Sequence, residues 1–345
     1  MRIEKNENDL QQSKHILVIG GAGYIGSALT RKLLAKGFRV SVLDKLIYNN
    51  GCALYDLLEN KNFEFINGDF GNEKSVEAAL PGVTDVILLA ALVGDPICKE
   101  YPELAIKTNV EYPQKLFTLL NGRNIKRFIF TSTCSNYGLR SDDSPADEES
   151  ELNPLSLYAK SKVEFEKFIF ENSDKVDFSS TILRLSTAFG MSSRMRFDLT
   201  ISEFTRDLAL GKELIVYDEN TWRPYCNVSD INNAIIKVIN DPGENVAGQV
   251  FNIGSDENNY TKQMIVDLIR KYVRQPQIEY KTKGSDPRNY RVSFSKVREL
   301  LNFEPRFTAE DSIRNLITAI ENNLFSDVES RKNFYGNYYI TNKGL

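Results

Sequence analysis

One histidine, His15, one tryptophan and four methionines stand in a chain of 345 residues, and the four cysteines, Cys52, Cys98, Cys134 and Cys226, lie far apart. So few metal ligands, none closely spaced, exclude a zinc centre; a Ser-His or Cys-His hydrolase would need His15 itself in its active site. No metal site is expected. Scattered cysteines read as reduced, mostly buried small apolar residues, and no disulfide framework follows. No stretch approaches the roughly 18 apolar residues of a membrane span. The opening MRIEKNENDLQQSK is polar and mixed in charge, so neither a signal peptide nor an anchor is expected, and the protein reads as cytoplasmic with no membrane partner. Nor does one sign of charge dominate: 43 basic against 47 acidic residues give −4, which argues against a nucleic-acid surface.

With 41 % apolar and 26 % charged residues, the composition is that of an ordinary globular protein, and about 150 residues per domain predicts two domains. His15 to Ile19 is an apolar run ending in glycines, as in a parallel strand buried on both faces. Tyr24 to Gly37 has helical spacing and a terminal glycine, and Phe38 to Leu43 closes a βαβ unit. Strands near Phe63 to Ile66, Asp85 to Leu89, Arg127 to Ser132 and Thr181 to Leu185 then alternate with helices near Glu73 to Leu80, Leu104 to Asn121 and Tyr158 to Glu171. That alternation predicts an α/β fold, a doubly wound parallel sheet over 14–186, rejoined by about 226–253. The pattern changes after residue 186, which suggests a smaller domain from 187–225 and 254–345, with 1–13 a polar tail.

Gly20-Gly21-Ala22-Gly23-Tyr24-Ile25-Gly26 lies between a predicted strand and a predicted helix. Such glycines allow a tight turn and close approach to a pyrophosphate at the helix N-terminus. Asp44, at the end of the second strand, is placed to bind an adenosine ribose and would repel a 2′-phosphate, so NAD is preferred over NADP. Tyr158 and Lys162, four apart on a helix, share a face, and an ammonium near a phenol lowers its pKa. They supply the acid–base pair that the histidine count lacks. Upstream, Thr131 to Gly138 forms a hydroxyl-rich strand exit at the ligand-binding edge of such sheets.

Together with Gly68-Asp69, Leu89-Ala90-Ala91, Asn109, Arg223 to Asp230 and Asp286-Pro287-Arg288-Asn289-Tyr290, these motifs resemble the extended short-chain dehydrogenases/reductases of the NAD-dependent epimerase/dehydratase family, the nucleotide-sugar modifiers. The resemblance runs over roughly residues 15 to 310 and implies a Rossmann sheet with a smaller C-terminal substrate-binding domain. It also implies an NAD site lined by Gly20, Gly23, Tyr24, Ile25, Gly26, Asp44, Asp69, Phe70, Leu89, Ala90, Ala91, Asn109, Thr131, Ser132, Tyr158 and Lys162. Tyr158 would be the general base at a sugar hydroxyl, usually on carbon 4, with Lys162 holding the nicotinamide ribose and Thr133 bonding the reacting oxygen. Arg223 and Arg288 would clamp the substrate diphosphate, as bidentate guanidiniums do.

Two departures matter. The Asp-Glu pair that dehydratases place after the catalytic threonine is Cys134-Ser135 here, which disfavours dehydration. The expected asparagine after the sixth strand is Thr187, so Thr187, Arg194 and Arg196, with Trp222, become candidates for a different substrate pocket. The implied activity is oxidation at carbon 4 of a nucleotide-diphosphate sugar, as a 4-epimerase or net 4-dehydrogenase in polysaccharide biosynthesis; some bacterial relatives oxidise a GDP-heptose. A reductase or decarboxylase on a related substrate is the alternative, and a non-catalytic NAD sensor is the reading from another class. Relatives commonly dimerise, or form larger homo-oligomers, through helices equivalent to Leu104–Asn121 and Tyr158–Glu171, where Leu116, Phe117, Phe165 and Ile169 could face a partner or the core.

Overall fold

The computed structural model of the chain describes residues 14–140, 144–282 and 288–341. The expected tail 1–13 and Asp286-Pro287 of the last motif lie outside the described residues.

β1 (His15–Ile19) is buried along its length, as a strand covered on both faces requires, and leads through the glycine loop into α1 (Tyr24–Ala35). Gly37, at φ +84°, ends that helix in the left-handed conformation glycine tolerates. β2 (Arg39–Asp44), β3 (Phe63–Asn67), α2 (Glu73–Ala79) and β4 (Asp85–Leu88) follow. The single helix expected next is interrupted: α3 (Asp95–Glu100) precedes α4 (Pro102–Ile106), which passes through a π-turn (Lys107–Glu111) into α5 (Tyr112–Leu119). β5 (Arg127–Thr133), α6 (Leu157–Asn172) and β6 (Ser179–Leu185) complete the alternation. Then come β7 (Thr187–Phe189), α7 (Thr200–Ala209), β8 (Leu214–Tyr217), β9 (Trp222–Asn227), α8 (Val228–Asn240), β10 (Gln249–Ile253), β11 (Asn259–Thr261), α9 (Lys262–Arg270), β12 (Ile278–Lys281), α10 (Ser295–Leu301) and α11 (Ala309–Glu321).

Among the described residues, seven strands pair in the order β10-β6-β5-β4-β1-β2-β3, and every pairing is parallel. Strand order reverses between β1 and β4, which opens a crevice at their carboxyl ends. Alternate residues feed opposite layers: Ile16 and Val18 pack with Leu29, Leu33 and Ile235, whereas Leu17 and Ile19 pack with Val86, Leu88 and Phe128. Leu116, Phe117, Phe165 and Ile169 are all buried in the second layer, so these four side chains are core of the subunit. β11-β9-β7 and β12-β8 form two small sheets beyond the crevice. His15 is buried at the start of β1, with Nε2 2.8 Å from Ser41 Oγ, at the strand end away from the glycine loop. No disulfide joins the four cysteines, and Cys98, Cys134 and Cys226 are buried.

Candidate active site

A cavity of about 820 Å³ opens at the crevice, lined by the carboxyl ends of the large sheet and by residues that follow β6. Every site residue expected from the sequence lines it except Asn109. Asn109 sits in the π-turn and is buried; its Oδ1 accepts from Leu92 N–H at 2.8 Å and its Nδ2 donates to the Leu92 carbonyl at 3.0 Å. Its amide is thus committed to the backbone of the loop after β4, where it shapes the cavity wall from behind. Trp222 is likewise outside the lining, with its ring 5.2 Å from the Arg291 guanidinium.

The glycine loop forms the floor. Gly20 has φ +89°, and a Cβ there would lie 2.6 Å from Ala90 N; a Cβ on Gly26 would meet the Gly20 carbonyl at 2.3 Å. Only glycine fits, which leaves the loop backbone bare beside the first turn of α1, a concavity suited to an anion. At the end of β2, Asp44 accepts from Ala22 N–H at 3.0 Å and from Leu46 N–H at 2.8 Å. Burial pushes this carboxyl above its usual range, although both backbone bonds oppose the shift. Lys45, which could have neutralised a 2′-phosphate, instead pairs with Asp69 at 3.0 Å.

Tyr158 enters the opposite wall from the first turn of α6, which Ser156 caps by accepting from Ala159 N–H at 3.2 Å. One turn on, Lys162 is buried, donates to the Thr131 carbonyl at 2.9 Å and lies 4.6 Å from the centroid of the Phe130 ring. A turn further, buried Glu166 pairs with Arg184 at 2.7 Å and accepts from Ser132 Oγ and Asn136 Nδ2. One helix face thus carries the site group, its cation and an anchor to β5 and β6. Arg184, near the end of β6, belongs to this anchor.

The expected electrostatics of Tyr158 need correction. Burial dominates and raises its phenol well above the ordinary range; Cys98 and Asp95 add to this, and the opposing cations are Arg196 and Arg288. Lys162 Nζ is turned toward Thr131 and stands 5.8 Å from the centroid of the Tyr158 ring, and burial lowers its own pKa to about 7. A desolvated ammonium that is partly neutral offers little field to a neighbour.

Thr133 Oγ1 accepts from Ser135 N–H at 3.1 Å and faces the cavity. The two positions after it diverge. Cys134 turns into the core and donates to the Arg184 carbonyl at 3.2 Å, with burial pushing its thiol far above the ordinary range, so it holds a strand rather than reacting. Ser135 faces the cavity, where its Oγ lies 3.2 Å from Arg288 Nη1 and 3.3 Å from Tyr290 Oη. Arg288 also pairs with Asp95 at 3.1 Å, a residue of α3 that the sequence did not single out. Arg223, buried, donates to the Trp222 and Arg288 carbonyls and lies 5.3 Å from the Tyr290 ring centroid. Arg196 is neutralised by a two-pronged pair with Asp198, at 2.9 and 2.6 Å.

The C-terminal segment also reaches the cavity. Asn337, Tyr338 and Ile340 line it, with Asn337 N–H donating to Asp198 Oδ2 at 3.1 Å and Asn337 Nδ2 to the Val93 carbonyl at 3.1 Å. Thr341 N–H donates to the Ile47 carbonyl at 3.0 Å, so the segment bridges Asp198 to the loops after β2 and β4. Its aromatic composition was the one available signal, and nothing local aims such a segment.

A doubly wound sheet with a glycine loop at its switch point and a Tyr-Lys helix on the facing wall defines a dinucleotide-binding protein of the short-chain dehydrogenase/reductase type. The profile of the NAD dependent epimerase/dehydratase family matches residues 16–254, and the chain belongs to that family. NAD is therefore its cofactor, and the bare glycine backbone, the committed Lys45 and the half-buried Asp44 fit it. UDP-arabinose 4-epimerase 1 of Arabidopsis thaliana is 26 % identical over 332 residues, spanning 85 % of this chain and 76 % of its own. UDP-glucose 4-epimerase of Lactobacillus helveticus is 27 % identical over 318 residues, spanning 86 % and 94 %. A crystal structure of UDP-glucose 4-epimerase with UDP-glucose from Thermotoga maritima superposes with a TM-score of 0.79 at 25 % identity, covering 90 % of this chain and 99 % of that one.

Proposed function

We propose that the protein oxidises carbon 4 of a nucleotide-diphosphate sugar, with Tyr158 as base, Thr133 as donor to the reacting oxygen, and Arg223 and Arg288 on the diphosphate. The observation that carries this reading is the shared cavity: the glycine floor, the Tyr158 phenol, the Thr133 hydroxyl and the two arginines all face one volume. Bound NAD supplies the hydride acceptor. Tyr158 takes the hydroxyl proton as the C–H bond at carbon 4 breaks; Arg196 and Arg288, each paired with a carboxylate, only partly oppose the burial that raises its phenol. Thr133 donates to the oxygen as it becomes a carbonyl. Lys162, fixed by the Thr131 carbonyl, is placed to hold the nicotinamide ribose.

Elimination of water is disfavoured, because Ser135 offers no carboxylate and Cys134 faces away from the cavity. The relatives named as UDP-sugar 4-epimerases support return of the hydride to the other face over net dehydrogenation. The test is incubation with NAD and a panel of UDP-, dTDP- and GDP-sugars, a GDP-heptose among them, followed by product analysis. A carbon-4 epimer or a 4-keto sugar is expected from at least one; a decarboxylated or dehydrated product, or none at all, would overturn the reading.

A further inference from the structure

Arg194 was expected on the substrate, yet its surroundings are those of the glycine loop. Its own loop is fastened to the start of α1: Tyr24 Oη donates to the Gly190 carbonyl at 2.6 Å, and Ser192 Oγ donates to the Tyr24 carbonyl at 2.6 Å. The Arg194 guanidinium lies 4.7 Å from the centroid of the Tyr48 ring, in the loop that follows Asp44. From the other side the C-terminal segment fixes it, Nη2 donating to the Gly336 carbonyl at 3.0 Å.

Arg194 is 2 % exposed, and among the described residues no carboxylate pairs with it; the nearby Asp198 is taken by Arg196. Burial and the adjacent Arg196 lower its pKa to about 10, so it remains a cation at neutral pH. Among the described residues, Arg194 Nε and Tyr48 Oη are buried polar atoms without a hydrogen-bond partner, and both residues line the cavity. A buried guanidinium Nε–H and a buried phenol hydroxyl lacking partners are costly unless an acceptor arrives. The acceptor that fits between a glycine loop, a helix N-terminus and an arginine fork is a phosphate.

We propose that Arg194 and Tyr48 are cofactor-binding residues that close over the pyrophosphate of the dinucleotide, with Gly336 of the C-terminal segment aiming the guanidinium. This rests on the Gly20–Gly26 loop being the pyrophosphate cradle. It moves Arg194 from the substrate to the cofactor and makes the smaller domain part of the NAD site.

The test is titration calorimetry of the nucleotide-free full chain, Arg194→Gln and Tyr48→Phe with NAD, ADP, adenosine and UDP. Arg194→Gln should weaken NAD and ADP by about 10- to 100-fold, the loss of a charged hydrogen bond, while adenosine and UDP bind as to the wild type. Tyr48→Phe keeps the ring under Arg194 and removes only the hydroxyl; it should weaken NAD and ADP by about 3- to 10-fold. Should Arg194→Gln not fold, as melting would reveal, Tyr48→Phe decides alone, and wild-type NAD affinity in it overturns the proposal. Unchanged NAD affinity in Arg194→Gln, or loss of UDP instead, also overturns it. If the wild type itself bound ADP no better than adenosine, the cradle reading would fail first.

Discussion

Replacing Lys162 with methionine should remove a pH dependence from the stability of the nucleotide-free protein. Burial lowers the Lys162 pKa to about 7, whereas in the unfolded chain a lysine titrates near about 10.4. Between those values the unfolded state carries one proton more than the native state, so this group makes stability rise with pH. The penalty for burying the ammonium is fully present below about pH 7 and is relieved progressively above it. At about 1.4 kcal/mol per pH unit, wild type should gain roughly 2 kcal/mol on Lys162→Met between about pH 7 and about pH 9. The Thr131 carbonyl, 2.9 Å from Nζ, solvates the ammonium and Phe130 adds its ring face, while Cys98 and Glu166 favour the charge less than burial opposes it. Urea unfolding of both proteins without nucleotide at the two pH values measures the difference. A stability gap that does not change with pH would refute the claim that Lys162 is desolvated, and with it the explanation of why it does not depress Tyr158.

Glu166→Gln should destabilise by about 3–5 kcal/mol, read as a lower urea midpoint, because it leaves the Arg184 guanidinium buried without its anion. Gly26→Ala should fold with a loss of roughly 1–3 kcal/mol but bind NAD far more weakly by calorimetry, since its Cβ would press on the Gly20 carbonyl at 2.3 Å and force the cradle open. Tyr158→Phe should lower turnover by at least about 100-fold and leave the NAD dissociation constant within about 2-fold, because the ring stays in the cavity wall and only the hydroxyl is lost.

The large sheet was legible because its signals are local. The apolar run His15 to Ile19, its closing glycines and the helical spacing after them each constrain neighbours in sequence, and right-handed crossovers leave few ways to assemble such units. Tyr158 and Lys162 were legible as a pair for the same reason: the helix sets their spacing. What the pair does electrostatically was not, because it depends on burial and on Arg196 and Arg288, which come from distant parts of the chain. Asn109 looks like a ligand by position, yet the π-turn commits its amide to Leu92, a register shift no spacing rule reports. Leu116 and Phe117 could have faced a partner or the core until the packing of Phe128 and Phe165 against them settled the choice. The bonds of Asn337 and Thr341 to Val93 and Ile47, each spanning over 200 positions, lie beyond any local pattern.

The central claim, hydride removal at carbon 4 with Tyr158 as base, is tested most directly with a nucleotide sugar deuterated at that carbon. The substrate identified by the panel is incubated with NAD-loaded wild type and Tyr158→Phe, and mass spectrometry follows the label in sugar and cofactor. Deuterium moving from carbon 4 to the nicotinamide, or returning to carbon 4 of the epimer without wash-out, with a primary isotope effect and near-silence in Tyr158→Phe, is the predicted result. Product formed while the carbon-4 label stays in its original configuration, or is lost to water, would contradict the account.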